Sequence, residues 1–280
     1  MNWLDCLKEQ VEEDIGEFDI TTVALISKKV MIHANIIARE PGVVSGILET
    51  AGLFREYGVE VTEKVKDGNA VKADTVLLEL YGRARDIFAV ERTALNILGR
   101  MMGISTMTAE AVKIARKHNK KVRIAATRKT MFKHFDKKAV SFGGGDPHRW
   151  GLDDCMLIKT NHLRLVPTVQ EAMRRAKKDA SFVRKIEVEA RSEKEAISAA
   201  EHGADIIMLD NMSHDQIDNA IDALKKKGLR DNRIIELSGG ITLENLEEFA
   251  KHDCDVISMG CLTHSPDWFS VNLRTSGENP

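Results

Sequence analysis

Charged residues and glycines cluster in the second half of the sequence, each cluster directly after a short apolar run. In chain order the clusters are Thr127-Arg128-Lys129-Thr130, Lys159-Thr160-Asn161-His162, Glu187-Val188-Glu189, Asp210-Asn211, Ser238-Gly239-Gly240, and Gly260 with His264. A further cluster, Gly143-Gly144-Gly145-Asp146-Pro147-His148-Arg149, lies between the first two. A single polar residue after a strand is usually a cap or a loop contact, but six successive clusters predict one active site.

Four cations in these clusters are suited to an anionic substrate. Arg128 and Arg149 carry planar guanidinium groups, which contact carboxylates or phosphates at two points. Lys129 and Lys159 add compact positive charges. These residue types therefore predict recognition of carboxylate or phosphate groups.

Two acids, Glu189 and Asp210, follow neighbouring apolar runs. Paired carboxylates that face phosphates usually hold Mg²⁺, which keeps several of its waters and bridges to substrate oxygens. The alternative is a structural role, in which the acids form ion pairs with Lys129 or Lys159. Both interpretations place the acids next to the cations.

The Ser238-Gly239-Gly240 turn and Gly260 are typical of a phosphate site late in an α/β barrel, since backbone N–H groups there can approach the ligand closely. The alternative for Gly239-Gly240 is a tight turn between a strand and a helix. The combination of cations, acids and glycines predicts transfer between a phosphate-bearing donor and an acidic acceptor. The isolated histidines are expected at the surface: His33, His118 and His252.

The elements that must position these clusters alternate between strands and helices. Apolar runs of this length suit buried parallel strands, and they are Val122–Ala126, Cys155–Ile158, Lys185–Val188, Ile206–Leu209, Ile234–Leu237 and Val256–Met259. Capping-box spacings begin helices between them, at Thr168 with Glu171, Ser192 with Glu195, and Ser213 with Gln216. Repeated strand–helix units predict a parallel sheet that closes into a barrel. A further strand is expected near Ala139–Phe142.

The first hundred residues follow a different pattern. Strands are expected at Ile32–Ala38 and Val76–Leu80, with a hairpin turn at Lys66–Asn69. A long helix is expected over Glu91–Ala115, broken at Gly103. The predicted boundary between two domains lies near residue 103.

Composition narrows the possible classes of protein. The 280 residues carry a formal net charge of −2 and only 5% aromatic residues, whereas nucleic-acid binders usually have a basic excess and base-stacking aromatics. No stretch approaches the about 20 apolar residues that span a bilayer, so no membrane association is expected. The four cysteines form no Cys-x-x-Cys pair, which indicates free thiols and a cytoplasmic location.

The near-zero net charge is a cancellation. Residues 116–138 contain ten Lys or Arg and one acid, whereas residues 186–255 contain seventeen acids and eight bases. Most of these charges are expected on solvated helix faces. A nucleic-acid interaction through the basic run is disfavoured, because Arg128 and Lys129 are expected to face the barrel mouth.

These motifs resemble the quinolinate phosphoribosyltransferase family over nearly the whole chain and in the same order. The resemblance also includes Leu157-Ile158, Met208-Leu209, Leu237, Ile241 and Ser258 to Ser265 around the clusters above. In the first hundred residues it rests on Glu13-Asp14-Ile15-Gly16, Asp19-Ile20-Thr21-Thr22, Arg39 to Gly46, and Glu91-Arg92-Thr93-Ala94-Leu95-Asn96.

The resemblance implies an N-terminal α/β sandwich over residues 1–102, joined by the tail 266–280, and an incomplete parallel α/β barrel over 103–265. It implies that quinolinate and phosphoribosyl pyrophosphate react with Mg²⁺ to give nicotinate mononucleotide, pyrophosphate and CO₂ in NAD biosynthesis. It also implies a homodimer or a larger homo-oligomer.

The resemblance further implies roles for individual residues. Those expected to bind quinolinate are Thr127, Arg128, His148, Arg149 and Lys159, with Arg92 reaching in from the neighbouring subunit. Those expected around phosphoribosyl pyrophosphate are Lys129, Glu189, Asp210, Ser238, Gly239, Gly240, Gly260 and His264. Glu189 and Asp210 would hold the Mg²⁺, and these two acids with Lys129 and Lys159 would be the catalytic residues.

The sequence departs from the family pattern at Met131-Phe132-Lys133-His134, at Asp146-Pro147 and at Met102. The changes within 131–147 leave open a related phosphoribosyltransferase or pyrophosphorylase acting on nicotinate or another small acid, such as a molybdate-operon paralogue. The lysine at position 159 favours quinolinate. A catalytically inactive nucleotide-binding protein would be expected to lack an acid or a lysine that is present here.

Overall fold

The computed structural model describes residues 2–276, and the chain folds into two compact units. Unit 1 comprises the described parts of Met1–Ala109, Phe132–Gly144 and Pro266–Pro280, and unit 2 comprises Glu110–Met131 and Gly145–Ser265. The chain therefore passes twice from unit 1 into unit 2. Residues 1 and 277–280 of the predicted N-terminal domain and tail lie outside the described residues.

The chain up to residue 118 forms four helices and five strands. They are α1 (Trp3–Ile15), α2 (Ile20–Leu25), β1 (Met31–Ala38), β2 (Gly42–Val43), α3 (Ile47–Glu56), β3 (Glu60–Glu63), β4 (Ala70–Val71), β5 (Val76–Arg83) and α4 (Ala84–His118). The two strands predicted at Ile32–Ala38 and Val76–Leu80 are confirmed.

The remainder contains the repeating strand–helix units. They are β6 (Arg123–Ala125), α5 (Lys133–Phe142), β7 (Met156–Ile158), α6 (Thr160–Leu163), α7 (Val169–Asp179), β8 (Ile186–Ala190), α8 (Glu193–Glu201), β9 (Ile206–Asp210), α9 (His214–Lys226), β10 (Ile234–Ser238), α10 (Leu246–Phe249), β11 (Val256–Ser258), α11 (Cys261–His264) and β12 (Val271–Ser276). All six predicted apolar strands are present.

Unit 1 is built on an antiparallel sheet of four strands in the order β12-β1-β5-β3. The fully buried side chains of Ile36, Leu78 and Leu80 form part of its core. The predicted hairpin at Lys66–Asn69 is wrong. A turn is present there, but β3 pairs with β5 and β4 pairs with β2, so the strands on either side of the turn do not pair with each other.

The predicted break at Gly103 is also wrong, because α4 continues through it for 35 residues. A Cβ at this position would lie 1.9 Å from the backbone oxygen of Asp267. The glycine therefore allows another segment of unit 1 to approach the helix backbone closely. The helix continues through this position although glycine has a low helix propensity.

The strand predicted near Ala139–Phe142 is a helix, α5. Phe135, Ala139 and Val140 are buried at helical spacing, and ion pairs join α5 to other parts of unit 1. The carboxylate of Asp136 accepts two hydrogen bonds of 2.8 Å from Arg100, and the Lys138 ammonium lies 2.5 Å from Glu49. Part of the basic run thus pairs inside unit 1.

Unit 2 is an incomplete parallel barrel with the strand order β6-β11-β10-β9-β8-β7. Consecutive strands from β7 to β11 are neighbours, and β11 pairs with β6. Between β6 and β7 the barrel remains open, with a single bridge from Ala125 to Asp146 at that edge. The carboxyl ends of all six strands therefore face the same side of unit 2.

The predicted helix starts are observed in unit 2. Thr168, Ser192 and Ser213 each cap a helix by accepting a hydrogen bond from the backbone three residues later, and only Ser213 forms the reciprocal capping box, with Gln216. Within residues 2–276, no helix combines the length and the apolar character needed to cross a membrane.

Candidate active site

The carboxyl ends of the unit 2 strands surround a cavity of about 490 Å³. Nine of the predicted site residues line it: Thr127, Arg128, Lys129, His148, Arg149, Lys159, Glu189, Asp210 and Ser238. Because parallel strands place their carboxyl ends together, residues far apart in sequence converge here. The structure thus brings the four predicted cations and the two predicted acids into one cavity.

A second cavity of about 340 Å³ contains the glycine-rich positions. Its lining includes the remaining predicted residues of unit 2, Gly239, Gly240, Gly260 and His264. Lys129, Asp210 and Ser238 line both cavities, so the two form adjoining parts of one site. The cations for an acceptor and the glycines for a phosphate therefore lie on either side of shared residues.

The turn after β10 requires glycine at both positions. Gly239 has a φ of +107° and Gly240 a φ of +61°, and residues with a Cβ rarely adopt such positive values. A Cβ on Gly239 would lie 2.5 Å from the side-chain oxygen of Asn211. The backbone can approach the neighbouring strand end only because position 239 lacks a side chain.

The two acids lie on neighbouring strands and share one cation. The Arg191 Nη2 atom lies 3.4 Å from Glu189 Oε1 and 3.3 Å from Asp210 Oδ2. The hydroxyl of Thr160 donates a further hydrogen bond to Glu189 Oε1. No ion pair joins these acids to Lys129 or Lys159 in the described part of the chain, so the alternative expected from the sequence is observed with a different partner.

The His148 ring lies at the inner wall of the cavity with both nitrogens engaged. Nδ1 accepts a 2.7 Å hydrogen bond from the Arg149 backbone N–H, which places the ring proton on Nε2. Nε2 lies 3.2 Å from Glu236 Oε2 and 3.8 Å from Glu187 Oε1. His148 also has a φ of +54°, so its backbone is held in a region uncommon for side-chain-bearing residues.

Two buried acids, Glu187 and Glu236, lie behind this histidine. Burial and, to a lesser extent, the nearby Glu236 carboxylate raise the pKa of Glu187 to about 7, against the opposing effects of His148 and Arg149. The three groups His148, Glu187 and Glu236 are close enough to share a metal ion. The proton on Nε2 occupies the position where such an ion would bind. A hydrogen bond from Nε2 to Glu236 is therefore favoured over a metal ion at this position.

Arg92 lies in unit 1 and lines a different cavity, of about 380 Å³. Its neighbours in that cavity include Glu13 and Asp14. This predicted quinolinate ligand is not among the residues that line either unit 2 cavity. Its predicted role in a neighbouring subunit stays a prediction.

Sequence reasoning missed the two partners that complete the site, Arg191 and Glu236. Arg191 follows Glu189 by two positions, a spacing at which side chains of an extended strand share a face. Glu236 precedes Ser238 by two positions in the same way. The alternation of side chains between the two faces of a strand could therefore have indicated that both residues lie on the same face as a predicted site residue.

The expectation that His252 is a surface residue is wrong, since only 9% of it is exposed. Its Nδ1 lies 2.6 Å from Asp218 Oδ1 and its Nε2 lies 2.8 Å from His214 Nδ1. These partners satisfy both nitrogens, which permits the burial. His33 and His118 are exposed as expected.

The fold and the site match known proteins over nearly the whole chain. Family models described as the N-terminal and C-terminal domains of quinolinate phosphoribosyl transferase match residues 19–102 and 104–274. A probable nicotinate-nucleotide pyrophosphorylase [carboxylating] of Methanothermobacter thermautotrophicus is 43% identical over 98% of this chain and 99% of its own. A protein of the same name from Methanocaldococcus jannaschii is 46% identical over 96% of each chain. The crystal structure of NadC from Streptococcus pyogenes superposes with a TM-score of 0.89 at 34% identity, covering 96% of this chain and 94% of that one.

Proposed function

This chain belongs to the quinolinate phosphoribosyl transferase family, and from that membership we propose how its strand-end site carries out the family reaction. Quinolinate and phosphoribosyl pyrophosphate give nicotinate mononucleotide, pyrophosphate and CO₂, a step of NAD biosynthesis. The observation that carries the assignment of the site is the convergence of cations, paired acids and a glycine turn on adjoining cavities of unit 2.

The acceptor half of the site is formed by the cations on the early strand ends. Arg128 and Arg149 are suited to hold the two carboxylates of quinolinate in two-point contacts, and Lys159 adds a third positive charge. Thr127 lines the same cavity. His148 lies beside them, and its ring position is fixed from behind by Glu236.

The donor half is formed by the later strand ends. The backbone around Gly239, Gly240 and Gly260 would receive the phosphate groups of the donor, with Ser238 and His264 beside them. The Gly260 position lies against Lys129, since a Cβ there would be 3.3 Å from the lysine side chain. Lys129 would therefore oppose the negative charge of the pyrophosphate.

Glu189 and Asp210 would hold the Mg²⁺. Their fit to a cation is visible in this structure, because one nitrogen of Arg191 lies within 3.4 Å of an oxygen from each acid. The bound Mg²⁺ would stabilise the charge that develops on the departing pyrophosphate. The same acids would face the ribose, where displacement develops positive character that carboxylates stabilise.

Lys159 is the residue placed to assist the loss of CO₂. Departure of the carboxyl group leaves electron density on the ring carbon that carried it. The Lys159 ammonium in the acceptor half would stabilise that density or protonate the carbon. This role is part of the proposal and follows from the lysine's position in the cavity.

We further propose that the enzyme is a homodimer or a larger homo-oligomer in which Arg92 completes the acceptor half of a neighbouring subunit. The support is that Arg92 belongs to unit 1 and does not line the cavity that contains the other expected quinolinate ligands. A cytoplasmic location is proposed on the four free cysteines, since exposed or half-exposed thiols persist in reducing compartments.

The test is product formation by the purified protein. With quinolinate, phosphoribosyl pyrophosphate and Mg²⁺, chromatography should detect nicotinate mononucleotide, and carboxyl-labelled quinolinate should release labelled CO₂ in equal amount. Arg128→Ala should lower kcat/KM about 100-fold or more, because charge-assisted hydrogen bonds contribute about 1.5–3 kcal/mol each. The matched control is Arg116→Ala, an exposed arginine of unit 2 that lines neither cavity. Turnover of nicotinate but not quinolinate would contradict the acceptor assignment.

A further inference from the structure

Arg191 is the cation that lies between the two acids, and the fold fixes its backbone on both sides. It directly follows β8, and the next residue, Ser192, is the N-cap of α8. The Arg191 backbone N–H also donates a 2.8 Å hydrogen bond to Glu195 Oε2. The base of the side chain is thus anchored, whereas its guanidinium can move.

The environments of the three charged groups differ sharply. The side chains of Glu189 and Asp210 are 10% and 13% exposed, whereas that of Arg191 is 50% exposed. A half-exposed arginine is held weakly, because solvent screens its ion pairs and its long side chain loses freedom when it is fixed. The two shielded acids, by contrast, need a counter-charge whenever they are ionised.

We propose that the Arg191 guanidinium is a displaceable counter-ion of the Glu189–Asp210 pair, and that a divalent cation binds there in exchange for it. This inference rests on the proposed Mg²⁺ site. Mg²⁺ or Mn²⁺ brings two charges and takes oxygen ligands from one or two carboxylates, retaining waters for the rest. The arginine would move into the solvent that already surrounds half of its side chain. Arg191 is thus a residue that sets the affinity for the metal and keeps the acids neutralised without it.

Binding of Mn²⁺ alone tests the exchange without any turnover. The free ion is counted by its electron paramagnetic resonance signal during a titration of the full-length protein. Arg191→Ala removes the competing cation, so it should bind Mn²⁺ about fivefold more tightly than the unaltered protein, which corresponds to about 1 kcal/mol. The matched control is Lys194→Ala, which removes an exposed positive charge three residues along the chain. Its affinity should stay within about twofold of the unaltered protein.

Thermal unfolding supplies a second measurement. In EDTA, Arg191→Ala should unfold at a lower temperature than the unaltered protein, because the two acids lose their shared partner. Added Mg²⁺ should raise the Tm of Arg191→Ala by more than it raises that of the unaltered protein or of Lys194→Ala.

Asp210→Asn separates failure of this inference from failure of the metal assignment. If Asp210→Asn loses Mn²⁺ binding while Arg191→Ala binds Mn²⁺ no more tightly than Lys194→Ala, the exchange is overturned and the metal site stands. If Asp210→Asn binds Mn²⁺ as well as the unaltered protein, the acids are not the metal site and both statements are overturned. Nicotinate mononucleotide formation, measured separately, decides the reaction itself.

Discussion

Successive residues of β8 alternate between the barrel interior and the helices outside. Glu187 and Glu189 share one face of this strand, and both are buried or nearly so. Glu187 lies close to His148, whereas Glu189 pairs with Arg191 at the cavity mouth. One strand therefore holds His148 with one acid and provides a proposed metal ligand with the next.

The thiol of Cys155 should be unreactive near neutral pH. Burial and, to a lesser extent, the nearby Glu187 carboxylate raise its pKa to about 11. At pH 8 only about one thiol in a thousand would be ionised, against roughly a quarter for a free cysteine with a pKa of about 8.5. Mass spectrometry of iodoacetamide-treated protein should show alkylation of Cys155 that increases about tenfold for each pH unit between 7 and 9. Fast, pH-independent labelling, assigned with Cys155→Ser, would refute the prediction.

Gly239→Ala should damage donor binding. A left-handed φ costs a residue with a side chain about 1–3 kcal/mol, and the new Cβ would also collide with Asn211. The KM for phosphoribosyl pyrophosphate should rise at least about tenfold if the turn shifts by a few tenths of an ångström. Gly228→Ala is the matched control, since its φ is +66° but a Cβ there meets nothing within 4 Å. Equal kinetic effects of the two variants would show that backbone strain alone is responsible.

At the scale of elements, the barrel strands and three helix starts were predictable, whereas helix α5 between β6 and β7 was not. Strands β8 to β10 are covered on both sides, so their sequences are almost continuously apolar except where an acid points inward. The run Ala139–Phe142 has the same apolar character over four residues, which is too short to distinguish strand from helix. Its place in α5 is decided by partners distant in sequence, such as the Arg100–Asp136 pair.

Some features of the candidate site could likewise be predicted from the sequence, whereas others could not. The convergence of the cations, the glycine turn and the two acids proposed to hold Mg²⁺ was predictable, because strand ends meet on one side of a parallel barrel. The ion pair of Arg191 was not, because the sequence offered Lys129 and Lys159 as equally charged partners. Only the register of β8 against β9 places the arginine beside both acids.

Gly103→Ala should destabilise the protein even though alanine favours helices. Helix propensity alone would stabilise the variant by about 1 kcal/mol, but the Cβ would lie 1.9 Å from the Asp267 carbonyl oxygen. Overpacking against backbone typically costs about 1–3 kcal/mol, so the Tm should fall by several degrees. Gly16→Ala is the comparison, because a Cβ at position 16 meets nothing within 4 Å and only the positive φ of +60° can destabilise that variant. A raised Tm for Gly103→Ala would contradict the close approach of the two segments.

Considered as a whole, the molecule sorts its charges by position in the chain. The basic run supplies Arg128 and Lys129 to the site, and the acidic half supplies Glu189 and Asp210. The formal net charge of −2 thus conceals one cavity that is lined by basic residues from an early segment and by acidic residues from a later one. Other members of the basic run, such as Lys138, are used in ion pairs of unit 1.

Mixing two inactive variants should restore activity if Arg92 serves a neighbouring subunit. Arg92→Ala and Lys159→Ala should each be nearly inactive alone. Co-refolded or co-expressed as a dimer, they would form mixed pairs in which one site contains both intact residues. Random pairing predicts about one quarter of the normal specific activity. Activity no greater than the sum of the separate variants would place Arg92 in its own subunit's site or outside the site altogether.

The pairing of the last described strand, β12, with β1 has a consequence for biosynthesis. His33 lies opposite Ser276 in the register, so the four-stranded sheet cannot be completed before residue 276 leaves the ribosome. Every strand of the barrel is translated earlier, which allows unit 2 to fold while β1 still has an open edge. Such an edge can pair with other chains. A nascent chain halted before residue 271 would therefore expose one edge of β1 even though all six of its barrel strands have been translated.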